Sequence, residues 1–151
     1  VNNDPNNLEA RGKMLVGSCL AGISFLKGLG FVHAISHMVG AEFDTQHGLT
    51  NAIVLPSVLK YNRYVMDKKI PIMSEAMGLK KNDFDNFYQS ICNLLDQLDI
   101  PKSLSEIGVD ASSVERLAEK ALKDSAFATN PRTASLEEMV DLINISMNSG
   151  R

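Results

Sequence analysis

From Met14 to Ala41 the chain carries one formally charged side chain, Lys27, in twenty-eight residues. A stretch so poor in charge has to be covered by other protein or by lipid, because a soluble chain cannot leave it to water. The longest uncharged run before Lys27, Met14 to Leu26, is thirteen residues long. That falls short of the roughly 20 needed to span a bilayer, and Gly17, Ser18 and Gly22 dilute it further. The expectation is a buried core helix rather than a membrane span. A leader peptide starting from Arg11 and Lys13 is disfavoured by the polar residues ahead of the run and by the lack of a clear cleavage site.

Apolar residues recur at helical rather than alternating intervals throughout. Leu8, Met14, Leu15, Cys19, Ala21, Ile23 and Leu26 predict a first helix that ends at Gly28 and Gly30, where two helices meet. A second helix is expected over 31–41. A third begins near Gly48, carries Ala52, Ile53, Leu55, Val58 and Leu59, and is expected to kink at Pro56. These two should be the most buried. Further helices are predicted over 66–77, ending at Gly78, and over 83–98, with Phe84, Phe87, Tyr88, Ile91, Leu94, Leu95 and Leu98 on one face.

Ser112 with Glu115 and Ser135 with Glu138 have the spacing of a capping box, predicting helices over 113–123 and 136–147. No alternating strand pattern and no repeat is present. At 151 residues the length suits one unit, so residues 1–151 are read as a single all-α domain.

A net charge of −3 argues against nucleic acid as a partner, since phosphate binding concentrates Lys and Arg. The only two cysteines, Cys19 and Cys92, lie far apart in apolar helical patterns. Both are expected to be buried, reduced thiols, in keeping with a cytoplasmic protein.

All three histidines, His33, His37 and His47, fall within fifteen residues. His33 and His37, four apart, project from one helix face. His47 lies where the loop enters the next helix and can return to the same place. A lone histidine near a helix interface is most simply a polar residue satisfied by a neighbour. Three together beside Asp44, in the most apolar third of the chain, point instead to a metal site, because buried imidazoles need partners. Imidazole with carboxylate suits Zn or Fe, and spacing does not choose between them.

The string GLGFVHAISHMVGAEFDTQHGLTNAIVLP resembles the signature of the iron-containing alcohol dehydrogenases, a VHA-xx-H-xxGA-xx-D-xx-HG form leading into an NA-x-LLP helix. IPKSLSEIGV and the Asn130-Pro131-Arg132 triplet resemble later features of the same family. Met38 and Gln46 stand where proline is frequent in that family, and SFLKGLG is one residue shorter than its commonest form.

The resemblance implies a helical metal-binding domain in which His33 and His47 are two of the ligands. His37 then lies near the nicotinamide and the substrate as a cofactor-binding and catalytic residue, and Asp44 serves as a loop cap or partner. It also implies an upstream Asp and His, and a nucleotide-binding α/β domain, outside these residues. The activity implied is interconversion of a small alcohol with an aldehyde or ketone, using Fe2+ (alternatively Zn2+) and NAD or NADP, in a homo-oligomer. The competing readings are a non-catalytic helical interaction module and a small metal sensor built from His33, His37, His47 and Asp44.

Overall fold

The computed structural model describes residues 1–151 and is entirely helical. Seven α-helices run in the order α1 (Leu8–Ser24), α2 (Phe31–Phe43), α3 (His47–Asn62), α4 (Ile70–Ala76), α5 (Phe84–Gln97), α6 (Val114–Ala121) and α7 (Leu136–Asn148). Short 3-10 turns join them, among them Phe25–Lys27, Arg63–Val65 and Ala111–Ser113.

The core lies where α2, α3, α6 and α7 meet. Phe31, Ala34, Ile35 and Val39 form the inner stripe of α2, at the three- and four-residue steps that keep side chains on one helix face. Ile53, Val54 and Val58 from α3 face them, with Leu117 and Ala121 from α6 and Met139 and Ile143 from α7 closing the other side. Each fully buried large side chain contributes about 1.5–3 kcal/mol of transfer free energy. As expected, α2 and α3 lie at the heart of the molecule. Pro56 is fully buried within α3, and the helix runs on past it to Asn62. A buried hydroxyl pair, Ser146 Oγ donating to Ser57 Oγ at 2.9 Å, joins α7 to α3. A smaller cluster of Ile70, Phe84 and Phe87 packs α4 against α5.

Five expectations need correction. The first helix is not a core helix: α1 contains no buried residue, and Leu8, Met14, Leu15, Val16, Leu20 and Ile23 all face outward. Cys19 is exposed with it, whereas Cys92 is buried as expected. An apolar face shows that cover is needed without showing which part of a molecule supplies it. The helix predicted over 66–77 begins later, at Ile70, with Pro71 in its first turn, where the missing N–H costs nothing. On α5, Leu94 and Leu98 lie outside, and the buried face is Phe84, Phe87, Cys92 and Leu95.

Finally, Ser112 and Glu115 form no capping box. Asp110, two residues earlier, accepts from the Ser112 N–H and begins a 3-10 turn ahead of α6. The Ser135–Glu138 box does form in both directions at the start of α7. No single helix is long and apolar enough to cross a membrane.

Candidate functional site

The site begins with the corner that aims α2. The α1 segment and α2 meet at 101° across Gly28-Leu29-Gly30. Both glycines have positive φ, +96° and +80°. At Gly28 an added Cβ would come within 2.3 Å of Thr129, so no side chain fits there.

The free amides of this corner are held by residues about a hundred positions away. Thr129 Oγ1 accepts from the Leu29 N–H at 3.1 Å and the Gly30 N–H at 3.4 Å, and Asn130 Oδ1 accepts from the Phe31 N–H at 3.2 Å. The helix N-terminus is thus capped from outside its own segment. Asn130 also pairs reciprocally with Asn62, its Nδ2 donating to Asn62 Oδ1 at 2.9 Å and its Oδ1 accepting from Asn62 Nδ2 at 3.0 Å. Its Nδ2 donates further to the Arg132 carbonyl at 2.7 Å. Arg132 lies over the Tyr61 ring at 3.9 Å and donates to Glu138 Oε1 at 2.8 Å.

At the other end α2 stops at Asp44, whose φ of 50° is left-handed and whose N–H donates to the Gly40 carbonyl. Asp44 therefore serves as the loop cap expected of it. Gln46 caps α3 by accepting from the Leu49 N–H, which puts His47 at the first helical position. The tight corner folds α3 back beside α2.

The three histidines meet as a result. Ring centroids are 5.2 Å apart for His33 and His47, 5.7 Å for His33 and His37, and 5.6 Å for His37 and His47. His33 Nε2 lies 3.3 Å and His47 Nε2 3.0 Å from one atom, the Nδ2 of Asn51. With that amide donating, both rings present an unprotonated Nε2 toward a common point. His33 Nδ1 and Asn51 Oδ1 are buried without a hydrogen-bond partner. Burial, followed by the neighbouring His47 and His37, pushes the His33 pKa below the ordinary imidazole value. The neutral form, the one that ligates metals, is therefore favoured. His37 turns the other way, its Nδ1 lying 3.1 Å from Asp124 Oδ2.

No group of three or more His, Cys, Asp and Glu side chains is arranged to hold a metal ion. The donor chemistry and the convergence of His33 and His47 fit two positions of a coordination sphere. Asn51 and Asp124 were not anticipated. Asn51 could have been found, one turn after His47 on the same helix face. Asp124 lies 87 residues from His37 and carries no local signal.

With this fold and site in view, comparisons with known proteins agree on one group. The Fe-containing alcohol dehydrogenase family, C-terminal part, matches residues 1–147, and the chain belongs to that family. It is 38% identical over 138 residues to the probable alcohol dehydrogenase EutG of Escherichia coli strain K12, covering 91% of this chain and 35% of that protein. It is 33% identical to the NADPH-dependent butanol dehydrogenase of Clostridium saccharobutylicum, covering 87% of this chain and 36% of that protein. A crystal structure of 1,3-propanediol oxidoreductase superposes with a TM-score of 0.89 at 32% identity, covering 94% of this chain and 39% of that one. The chain thus spans a little over a third of the length of these relatives.

Proposed function

We propose that this chain is the metal-carrying helical part of an NAD(P)-dependent alcohol dehydrogenase that interconverts a small alcohol with its aldehyde or ketone. The observation that carries this reading is the convergence of the His33 and His47 Nε2 atoms on the single point marked by Asn51 Nδ2. Two imidazole nitrogens suit Fe2+ or Zn2+ and supply half of a four-ligand site. An Asp and a His elsewhere in a longer protein complete it, together with the part that binds NAD or NADP. The one-third coverage of the relatives and the NADPH dependence named for the butanol dehydrogenase support this arrangement.

When bound, the cation supplies Lewis acidity at the alcohol oxygen, which lowers the pKa of the hydroxyl. His33 and His47 would hold that cation through their Nε2 atoms. His37, beside them but turned toward Asp124, orients the substrate and handles its proton.

The small-sensor reading asks for a complete ligand set from His33, His37, His47 and Asp44. Asp44 is used as the left-handed cap of α2, and His37 engages Asp124. The exposed apolar face of α1 favours the interaction reading in one respect, since it is suited to packing against the remainder of a longer protein or against a second copy in a homo-oligomer. A cytoplasmic setting agrees with two free thiols.

Calorimetric titration with Zn2+, and with Fe2+ under anaerobic conditions, tests the assignment. The chain should bind one ion weakly, His33→Ala and His47→Ala should each abolish binding, and His37→Ala should retain it. Unchanged binding in the His33 variant would remove His33 from the site. NAD(P)-dependent alcohol oxidation is expected only in a protein that also carries the nucleotide-binding part.

A further inference from the structure

We propose that Asp124 is the positioning residue of His37: it holds the imidazole with its proton on Nδ1 and so presents Nε2 as the acceptor of the substrate's hydroxyl proton. The role in proton transfer rests on the dehydrogenase reading above, whereas the tautomer rests on geometry alone.

The carboxylate is built into place. Asp124 follows the end of α6, and its N–H donates to the Ala121 carbonyl at 3.2 Å. Its Oδ1 accepts from the Ala126 N–H at 2.8 Å, which fixes the rotation of the group. The second oxygen, Oδ2, is left over from this capping and meets His37 Nδ1 at 3.1 Å. The Asp124 side chain is only 12% exposed, so water competes weakly for that oxygen, while the His37 side chain remains 34% exposed.

The same loop runs on to Thr129 and Asn130, which hold the N-terminus of α2. One short segment therefore fixes both the helix that carries His37 and the tautomer of its ring. An ionised carboxylate accepts hydrogen bonds and cannot donate them, so the ring nitrogen facing it must carry the proton. The two ring nitrogens diverge, and the unprotonated one, Nε2, is turned away from Asp124.

In the step this prepares, the hydroxyl O–H bond breaks with its electron pair left on oxygen. An N–H bond forms at Nε2, and the resulting imidazolium faces the Asp124 carboxylate through Nδ1–H. The arrangement is that of a base oriented by a carboxylate behind it.

The test is long-range 1H–15N correlation of the imidazole nitrogens in the 15N-labelled chain, at a pH above the imidazole titration. A histidine side chain free in water prefers the Nε2–H form, so a His37 ring predominantly protonated on Nδ1 is diagnostic. Asp124→Asn keeps an oxygen for the Ala126 N–H and turns an amide donor toward His37, so it should convert the ring to predominantly Nε2–H. A wild-type ring that is predominantly Nε2–H overturns the proposal without recourse to a variant, as does a folded Asp124→Asn protein with the wild-type tautomer. Adding Zn2+ in the same experiment separates the two readings. A His37 tautomer as expected, with no zinc response at the Nε2 atoms of His33 and His47, sinks the metal assignment and leaves the Asp124 assignment standing.

Discussion

Asn130 serves two masters: its oxygen caps α2 and pairs with Asn62, while its nitrogen reaches the same Asn62 and the Arg132 carbonyl. Asn62 is itself buried, so truncating its partner strands a polar group as well as removing bonds. Asn130→Ala should therefore cost about 3 kcal/mol in denaturant unfolding, against about 1 kcal/mol for an ordinary lost cap. The Asn-Pro-Arg triplet was legible as a family feature, but its role was not, because all of its partners are distant in sequence. Asn51 and Asp124 show the same divide. Asn51 sits one helical turn from His47 and could be read from spacing, whereas the Asp124 contact depends on how α6 packs across α2.

At the scale of elements, the helices whose cover comes from within the chain were the readable ones. Phe31, Ala34, Ile35 and Val39 announce the inner face of α2 by their period, and the Ser135–Glu138 box announces the start of α7. The box expected at Ser112 failed because a stronger acceptor, Asp110, stood two residues before it. Between elements, Glu42 near the end of α2 is gripped by α6, with Arg116 Nη2 donating at 2.8 Å and Lys120 Nζ at 2.5 Å. Hydrogen bonds from Arg116, then from Lys120, hold its carboxyl down from 4.5 to about 2.

A carboxyl whose folded pKa lies below its unfolded value stabilises the fold fully above the unfolded pKa. That contribution is lost as pH falls through the folded one. Unfolding free energy should thus decline between about pH 4.5 and pH 2. Glu42→Gln should flatten that part of the acid limb and cost no more than about 1 kcal/mol at pH 7, since solvent screens the pair. An acid limb identical in the variant would show that the contact contributes nothing.

On the scale of the whole molecule, α1 stands apart. Leu15 and Ile23 are 73% and 60% exposed, and their helix contributes nothing to the core. Replacing both by Lys should leave the thermal midpoint within a few degrees, because such a change removes no buried area. It should reduce self-association of the chain in sedimentation velocity, as a smaller apolar patch gives less reason to pair. A large drop in the midpoint would mean that α1 packs against the other helices in solution. The need to cover this helix was visible in its composition. Its exposure was not, because composition does not say which surface does the covering.

The corner at Gly28 to Gly30 has a kinetic consequence. The α2–α3 hairpin closes over a few residues and brings the histidines together early, since short loops close fast and at small entropic cost. The bonds from Thr129 and Asn130 span about a hundred residues and should form late in folding and break early in unfolding. In native-state hydrogen exchange the Leu29, Gly30 and Phe31 amides should lose their label together, faster than Ile35 or Val39 one and two turns further on. That difference would mark the 124–130 loop as a latch that lifts while the helices beneath it stay assembled.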